Sequence, residues 1–197
     1  LWVAIADPDA LIQAGSALED AAAKRATSAY FADSVVPMLP TELSENFSSL
    51  QAGEKRLAMV AELRLDADAG VKETKLHSAI IESKAKLTYS QVAQLIDSGC
   101  DDIPAELHGP VLHLADCARA LNQWRQANCL VMEDRPDYKL VLNEQGKVDE
   151  IVRIERNAAH KLVEECMLVC NRSVAEWLRS QNAGMFIQQS GIRTERL

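Results

Sequence analysis

The stretch "IIESKAKLTYSQV", residues 80–92, sets Lys84 and Lys86 just ahead of Tyr89. A basic pair beside an aromatic suits single-stranded nucleic acid, where ammonium groups meet phosphate and a ring stacks on a base. A second aromatic, Tyr30, precedes "VVPMLP", in which Pro37 and Pro40 both lock φ and push the residue before them toward extended geometry. Residues 36–40 therefore form a braced loop, and Tyr30 beside it either lines a binding surface or packs over Val36 and Leu39. His113 and Cys117 are four apart, as are Cys166 and Cys170, so each pair shares a helix face and together they could offer one His and three Cys to zinc. The simpler reading is that these cysteines pack as small buried hydrophobes. Glu164-Glu165 flanks an apolar stripe, where carboxylates are most often solvated. Arg135, in "EDRPDYKLVL", stands just ahead of a strand with Asp134 and Asp137 as candidate surface ion-pair partners. The sequence contains no Gly-rich phosphate loop, no Gly-x-Ser-x-Gly elbow and no His-Glu-x-x-His.

These residues must be positioned by a mixture of strands and helices. Leu1–Ala6 reads as a buried strand broken by Asp7-Pro8-Asp9. Ser16-Ala17-Leu18-Glu19 is a capping-box pattern that opens an Ala-rich helix running toward Tyr30, which places Tyr30 near a helix C-terminus. Residues 57–65 and 71–81 read as strands joined by a hairpin turn at Asp66-Ala67-Asp68-Ala69-Gly70. Thr88-Tyr89-Ser90-Gln91 is a second capping box, starting a short helix that stops by Ser98-Gly99. Pro104 opens a longer helix with an interruption at Gly109-Pro110 and an end near Ala127. Residues 139–142 and 148–152 flank Asn143-Glu144-Gln145-Gly146 as another hairpin. The longest helix is expected last, with Ala159, Leu162, Val163, Cys166, Met167, Cys170, Val174, Trp177 and Leu178 on one wide apolar stripe that ends at Asn182-Ala183-Gly184. Without regular βαβ alternation the class is α+β: a mixed β-sheet and hairpins with a long packed helix.

At 197 residues and 48% hydrophobic content, the chain can bury a sizeable core as one domain or as part of a larger one. It has no internal repeat, low-complexity tract or linker, and no apolar run of the roughly 18 residues that a membrane span needs. The five cysteines form an odd set without a secreted framework, which points to a reducing, cytoplasmic compartment. With 21 Lys and Arg against 29 Asp and Glu, the net charge of −8 argues by itself against non-specific nucleic-acid binding. The chain opens on "LWVAIAD" rather than on Met, as though in mid-strand, and is expected to be a piece of a larger protein.

Five blocks then resemble, in order and spacing, the catalytic RNB domain of the ribonuclease II family of exoribonucleases. They are "VAIADPDALIQAGSALEDAAAKRATSAYF", "VPMLPTELSENFSSL", "IIESKAKLTYSQV", "NCLVMEDRPDYKLVLNEQGKV" and "LVEECM", and together they reach across nearly the whole chain. The resemblance implies a partial RNB-type domain over 1–197, lacking its N- and C-terminal portions. It implies hydrolysis of single-stranded RNA from the 3′ end, with release of nucleoside 5′-monophosphates and divalent metal, normally Mg2+, activating water. The alternative within the same fold is a catalytically inactive RNA-binding or regulatory relative.

By the same resemblance, Tyr30 stacks on the terminal base, Tyr89 and Glu164 lie near the terminal riboses, and Met132 stands where an aromatic commonly closes the far end of the base stack. A thioether there gives up aromatic stacking worth roughly 1–3 kcal/mol per base. Lys84, Lys86 and Arg135 are expected to face the RNA channel, so that an acidic domain can still bind RNA alongside flanking RNA-binding domains. The metal-binding aspartates are expected upstream of this chain, and the arginine and glutamate that assist catalysis downstream. No catalytic or metal-binding residue is therefore expected within it. Asp7 follows the aspartate cluster and is expected to cap the turn that ends the first strand. Single-stranded RNA is the expected partner, without a membrane, and the expected state is a monomer.

Overall fold

In the computed structural model, residues 1–99, 102–129 and 137–184 are described. Among the described residues, seven strands and four α-helices run in the order β1 (Trp2–Ala6), α1 (Ala17–Arg25), β2 (Ala29–Tyr30), β3 (Val35–Val36), β4 (Lys55–Leu65), β5 (Val71–Glu82), α2 (Tyr89–Ser98), α3 (Ala105–Asn128), β6 (Asp137–Leu142), β7 (Val148–Ile154) and α4 (Ala158–Ser180). The architecture is α+β, as the mixed pattern of strands and helices requires.

The main sheet is antiparallel in the order β1-β4-β5. Trp2 pairs with Glu62 and Ala6 with Ala58, while β4 and β5 run from Lys55↔Glu82 to a bulge at Arg64/Leu65. The β4–β5 turn is built around Asp66, whose Oδ1 accepts from the backbone N–H of Gly70 at 2.7 Å and of Asp68 at 3.0 Å. Its other oxygen meets Lys72 Nζ at 2.8 Å, and these contacts hold the Asp66 carboxyl below the usual carboxylate range. After β1, Asp7 Oδ1 accepts from Ala10 N at 3.3 Å, the turn-capping role expected of it.

Helices α3 and α4 lie together behind this sheet. Ala61, Leu63, Ala69, Leu121, Val169 and Cys170 make one buried cluster between β4 and the two helices, and Ala115, Ala118, Leu162 and Cys166 make a second along the α3–α4 seam. Ala115 and Ala118 leave a shallow groove on α3 into which Leu162 and Cys166 of α4 pack. The β6–β7 hairpin is turned by Asn143, whose Oδ1 accepts from Gln145 N and Lys147 N at 3.0 Å each, with Gly146 at φ 73°. No helix among the described residues is long and apolar enough to cross a membrane.

Three local expectations need correction. Strand β1 is not a buried strand, since Trp2 is 65% and Ile5 43% exposed. The long helix α3 is not interrupted at Gly109-Pro110 but runs through Pro110, and at 24 residues it exceeds the 23 of α4. Gly109 has no Cβ to collide with the proline ring, which removes much of the usual penalty on a helical residue before proline. Helix α1 stops at Arg25, because Ala26 turns into the left-handed region at φ 60°. Tyr30 therefore sits on the two-residue strand β2, paired with Val35 of β3, and not at a helix C-terminus.

Candidate nucleic-acid interface

Tyr89 occupies the first turn of α2, behind a complete capping box. Thr88 Oγ1 accepts from Gln91 N at 3.2 Å and Gln91 Oε1 accepts from Thr88 N at 3.0 Å. This fixes the backbone of Tyr89 at the helix mouth while its side chain remains 46% exposed. Facing it is the start of α4, where Asn157 is the N-cap. Asn157 Oδ1 accepts from Ala159 N and His160 N at 3.1 Å each, and its Nδ2 donates to the Tyr89 carbonyl at 3.3 Å. The His160 ring stacks on the Tyr89 ring with centroids 4.0 Å apart and planes 15° from parallel. One turn further along α4, Glu164 pairs with Arg156 from the segment before the helix. The stacked rings thus join the mouths of α2 and α4, and Glu164 follows His160 by one turn in the α4 register.

Lys84 and Lys86 lie on the strap that leads from β5 into Tyr89, and both are exposed. Lys84 Nζ meets Glu82 Oε1 at 2.8 Å. The strap is tied down where Gly53 N donates to Ser83 O at 2.8 Å. Met132 and Arg135 lie outside the described residues.

Tyr30 is placed on a separate hairpin. Its side chain is 78% exposed, so it does not pack over Val36 and Leu39; Leu39 is buried without it. The loop behind it is braced as its prolines require. Ser28 Oγ accepts from Met38 N at 2.9 Å, and Arg25 Nη1 donates to Pro37 O at 2.7 Å, joining the loop to the end of α1.

The zinc arrangement does not form. His113 is exposed on α3, whereas Cys166 and Cys170 are buried and Cys117 half-buried at the helix seam. Among the described residues, no three His, Cys, Asp or Glu side chains are grouped to hold a metal ion. Burial, with Cys117 and Glu165 nearby, pushes the Cys166 thiol up to about 11, and burial raises Cys117 and Cys170 as well. A thiol pushed that far up holds much less thiolate at a given pH than a free cysteine. In the native protein, iodoacetamide at mildly alkaline pH should therefore label exposed Cys129 and spare Cys166 and Cys170 until denaturant is added. Mass spectrometry of the labelled peptides checks this, and native labelling of Cys166 at the rate of Cys129 would contradict it.

Sequence reasoning missed two groups. His160 was legible as a signal only in the Asn157-x-x-His160 spacing, a capping pattern. Glu165 was read as solvated but is 4% exposed, because Arg125 and Asn122 of α3 reach it from across the seam.

The family model for the RNB domain matches residues 1–197. The chain belongs to the RNB family. It is 40% identical over 188 residues to Exoribonuclease 2 of Edwardsiella piscicida, covering 92% of this chain and 28% of that protein. It is 38% identical over 191 residues to Exoribonuclease 2 of Proteus mirabilis, covering 95% of this chain and 29% of the relative. Among solved structures, Mycoplasma genitalium RNase R in complex with ribose methylated single-stranded RNA superposes with a TM-score of 0.86 at 27% identity, over 92% of this chain and 28% of that one. This RNB chain thus spans less than a third of the length of these relatives.

Proposed function

We propose that the protein carrying this RNB domain is a hydrolytic exoribonuclease that shortens single-stranded RNA from its 3′ end and releases nucleoside 5′-monophosphates. The observation that carries the reading is the 40% identity over 188 residues to a protein named Exoribonuclease 2, within an RNB-domain match that runs along residues 1–197. The exposed ring of Tyr30 offers a stacking platform for a terminal base, and a braced platform loses little entropy when the base lands. Glu164, oriented by Arg156, provides a carboxylate to accept from sugar hydroxyls, and the half-exposed Tyr89 stacks on His160 one helical turn before it. Lys84, Lys86 and Arg135 supply cations for phosphate, and Met132 a polarisable surface at the far end of the stack. A local basic strap on an acidic domain directs RNA to one face while the rest of the surface repels it.

A divalent ion, Mg2+, would supply activation of water and neutralisation of the phosphate charge. The described residues do not fit a metal centre, Asp7 being engaged in its turn, so we assign none of them as ligands. The residues of this domain are assigned to binding and positioning, in a protein we take to be cytoplasmic and monomeric.

The test is incubation of the full-length protein with 5′-labelled single-stranded RNA. The expected result is a ladder that shrinks from the 3′ end, with nucleoside 5′-monophosphates as product, and its loss on chelation of Mg2+. Tight RNA binding with the RNA left intact would instead place the protein among RNB relatives that bind without cutting.

A further inference from the structure

We propose that His160 is a positioning residue for Tyr89, selecting the ring orientation from which the tyrosine reads the sugar at the RNA end. The inference rests on the reading of Tyr89 as a sugar-facing residue. Tyr89 is the first residue of α2, and its backbone is fixed by the Thr88–Gln91 box, but a side chain 46% exposed is not held by core packing. What holds it comes from one short unit at the start of α4. The imidazole covers one face of the ring at 4.0 Å, and Asn157 grips the Tyr89 carbonyl. The imidazole is itself immobilised, with Nδ1 2.7 Å from Asn157 Oδ1 and its backbone N–H given to the same oxygen at 3.1 Å. With one face of Tyr89 occupied, only the other face and the ring edge are left to meet RNA. Because Glu164 follows His160 by one helical turn, the same unit sets the spacing between the tyrosine and the carboxylate.

The measurement is the ratio of kcat/KM for an RNA oligomer to that for the same oligomer ending in a 2′-deoxynucleotide, in the full-length enzyme. His160→Ala should lower that ratio roughly 3- to 10-fold, the range of an aromatic stacking contact. His160→Phe, which keeps a flat ring, should restore it to within about twofold, whereas His160→Leu, which fills similar space without a planar face, should not. Combining His160→Ala with Tyr89→Ala should lower the ratio no further than Tyr89→Ala alone. Losses that multiply in the double variant would overturn the proposal, and equal ratios for the Phe and Leu variants would overturn it even if the alanine variant fails to fold. A ratio lowered by Tyr89→Ala and untouched by His160→Ala would overturn it while leaving the sugar-reading role of Tyr89 intact. A ratio that Tyr89→Ala does not move would remove both.

Discussion

Glu165→Ala should destabilise the protein by about 3–5 kcal/mol, on the order of 10 °C in melting temperature for a domain of this size. The carboxylate lies 4% exposed between α3 and α4. Arg125 grips it from two nitrogens, Nε at 3.1 Å from each oxygen and Nη2 at 2.5 Å from Oε1, and Asn122 Nδ2 donates to Oε1 at 2.6 Å. Removing it leaves the Arg125 guanidinium, whose charged form the contact favours, facing a buried gap without its counter-charge. An exposed ion pair would contribute only about 0–1 kcal/mol, so the two situations are separable by measurement. Urea denaturation of Glu165→Ala and of the double variant Arg125→Met, Glu165→Leu decides between them. The double variant should recover most of the loss, because apolar side chains of similar volume replace a buried pair at little cost. A loss below about 1 kcal/mol for Glu165→Ala would show that water reaches the pair and that it does not clamp the helices.

The clamp also bears on the surface proposed to face RNA. Glu164 and Glu165 point about 100° apart around α4. Anchoring Glu165 on α3 therefore fixes the helix rotation that presents Glu164 beside Arg156. The residue that holds the fold and the residue proposed to meet the sugar are adjacent in sequence and opposite in environment.

That opposition marks the boundary of what was legible in the sequence. The Asp66–Gly70 hairpin, the Thr88–Gln91 box and helix α4 are local patterns that the structure forms, although the face α4 buries includes Glu165, Val169 and Ser173 and leaves Val163 and Trp177 exposed. Glu165 was illegible because its partners lie 40 and 43 residues away on another helix, and no local rule distinguishes it from Glu164. Continuation of α3 through Pro110 was hidden for a related reason. The lost backbone hydrogen bond is a local cost, while the packing of Ala115, Ala118 and Leu121 that offsets it is tertiary. The Ser16–Glu19 pattern was half-correct: Ser16 Oγ accepts from Glu19 N, but Glu19 reaches Gly15 N, one residue beyond the N-cap. The early end of α1 turns on an alanine at positive φ, a conformation that alanine does not advertise. The candidate site was legible in part. The structure stacks Tyr89 on His160, four residues before Glu164 on α4, and that imidazole belongs to a capping motif that carries no chemical signature.

On the proposed function, in which Tyr30 stacks on the terminal base, Tyr30→Ala in the full-length protein should produce the largest change in how digestion ends. The ring is 78% exposed and takes no part in the buried clusters, so its removal costs little stability. Loss of a base-stacking platform costs roughly 1–3 kcal/mol, a 5- to 150-fold weaker hold on the last nucleotides. Digestion halts when the remaining oligomer is too weakly held, so a weaker grip at the 3′ terminus raises the length at which it halts. The leftover fragment should therefore lengthen by one or more nucleotides, visible on a sequencing gel, while initial rates on long RNA fall less. Tyr30→Phe, which keeps the ring, should leave the fragment unchanged. Because the hairpin is tied to α1 through Arg25 and Ser28, Arg25→Ala should give a smaller shift in the same direction by loosening the loop behind the ring. Fragments of equal length from the wild type and Tyr30→Ala would remove Tyr30 from the RNA path, and an exposed aromatic on a braced loop would then call for a protein partner rather than a base.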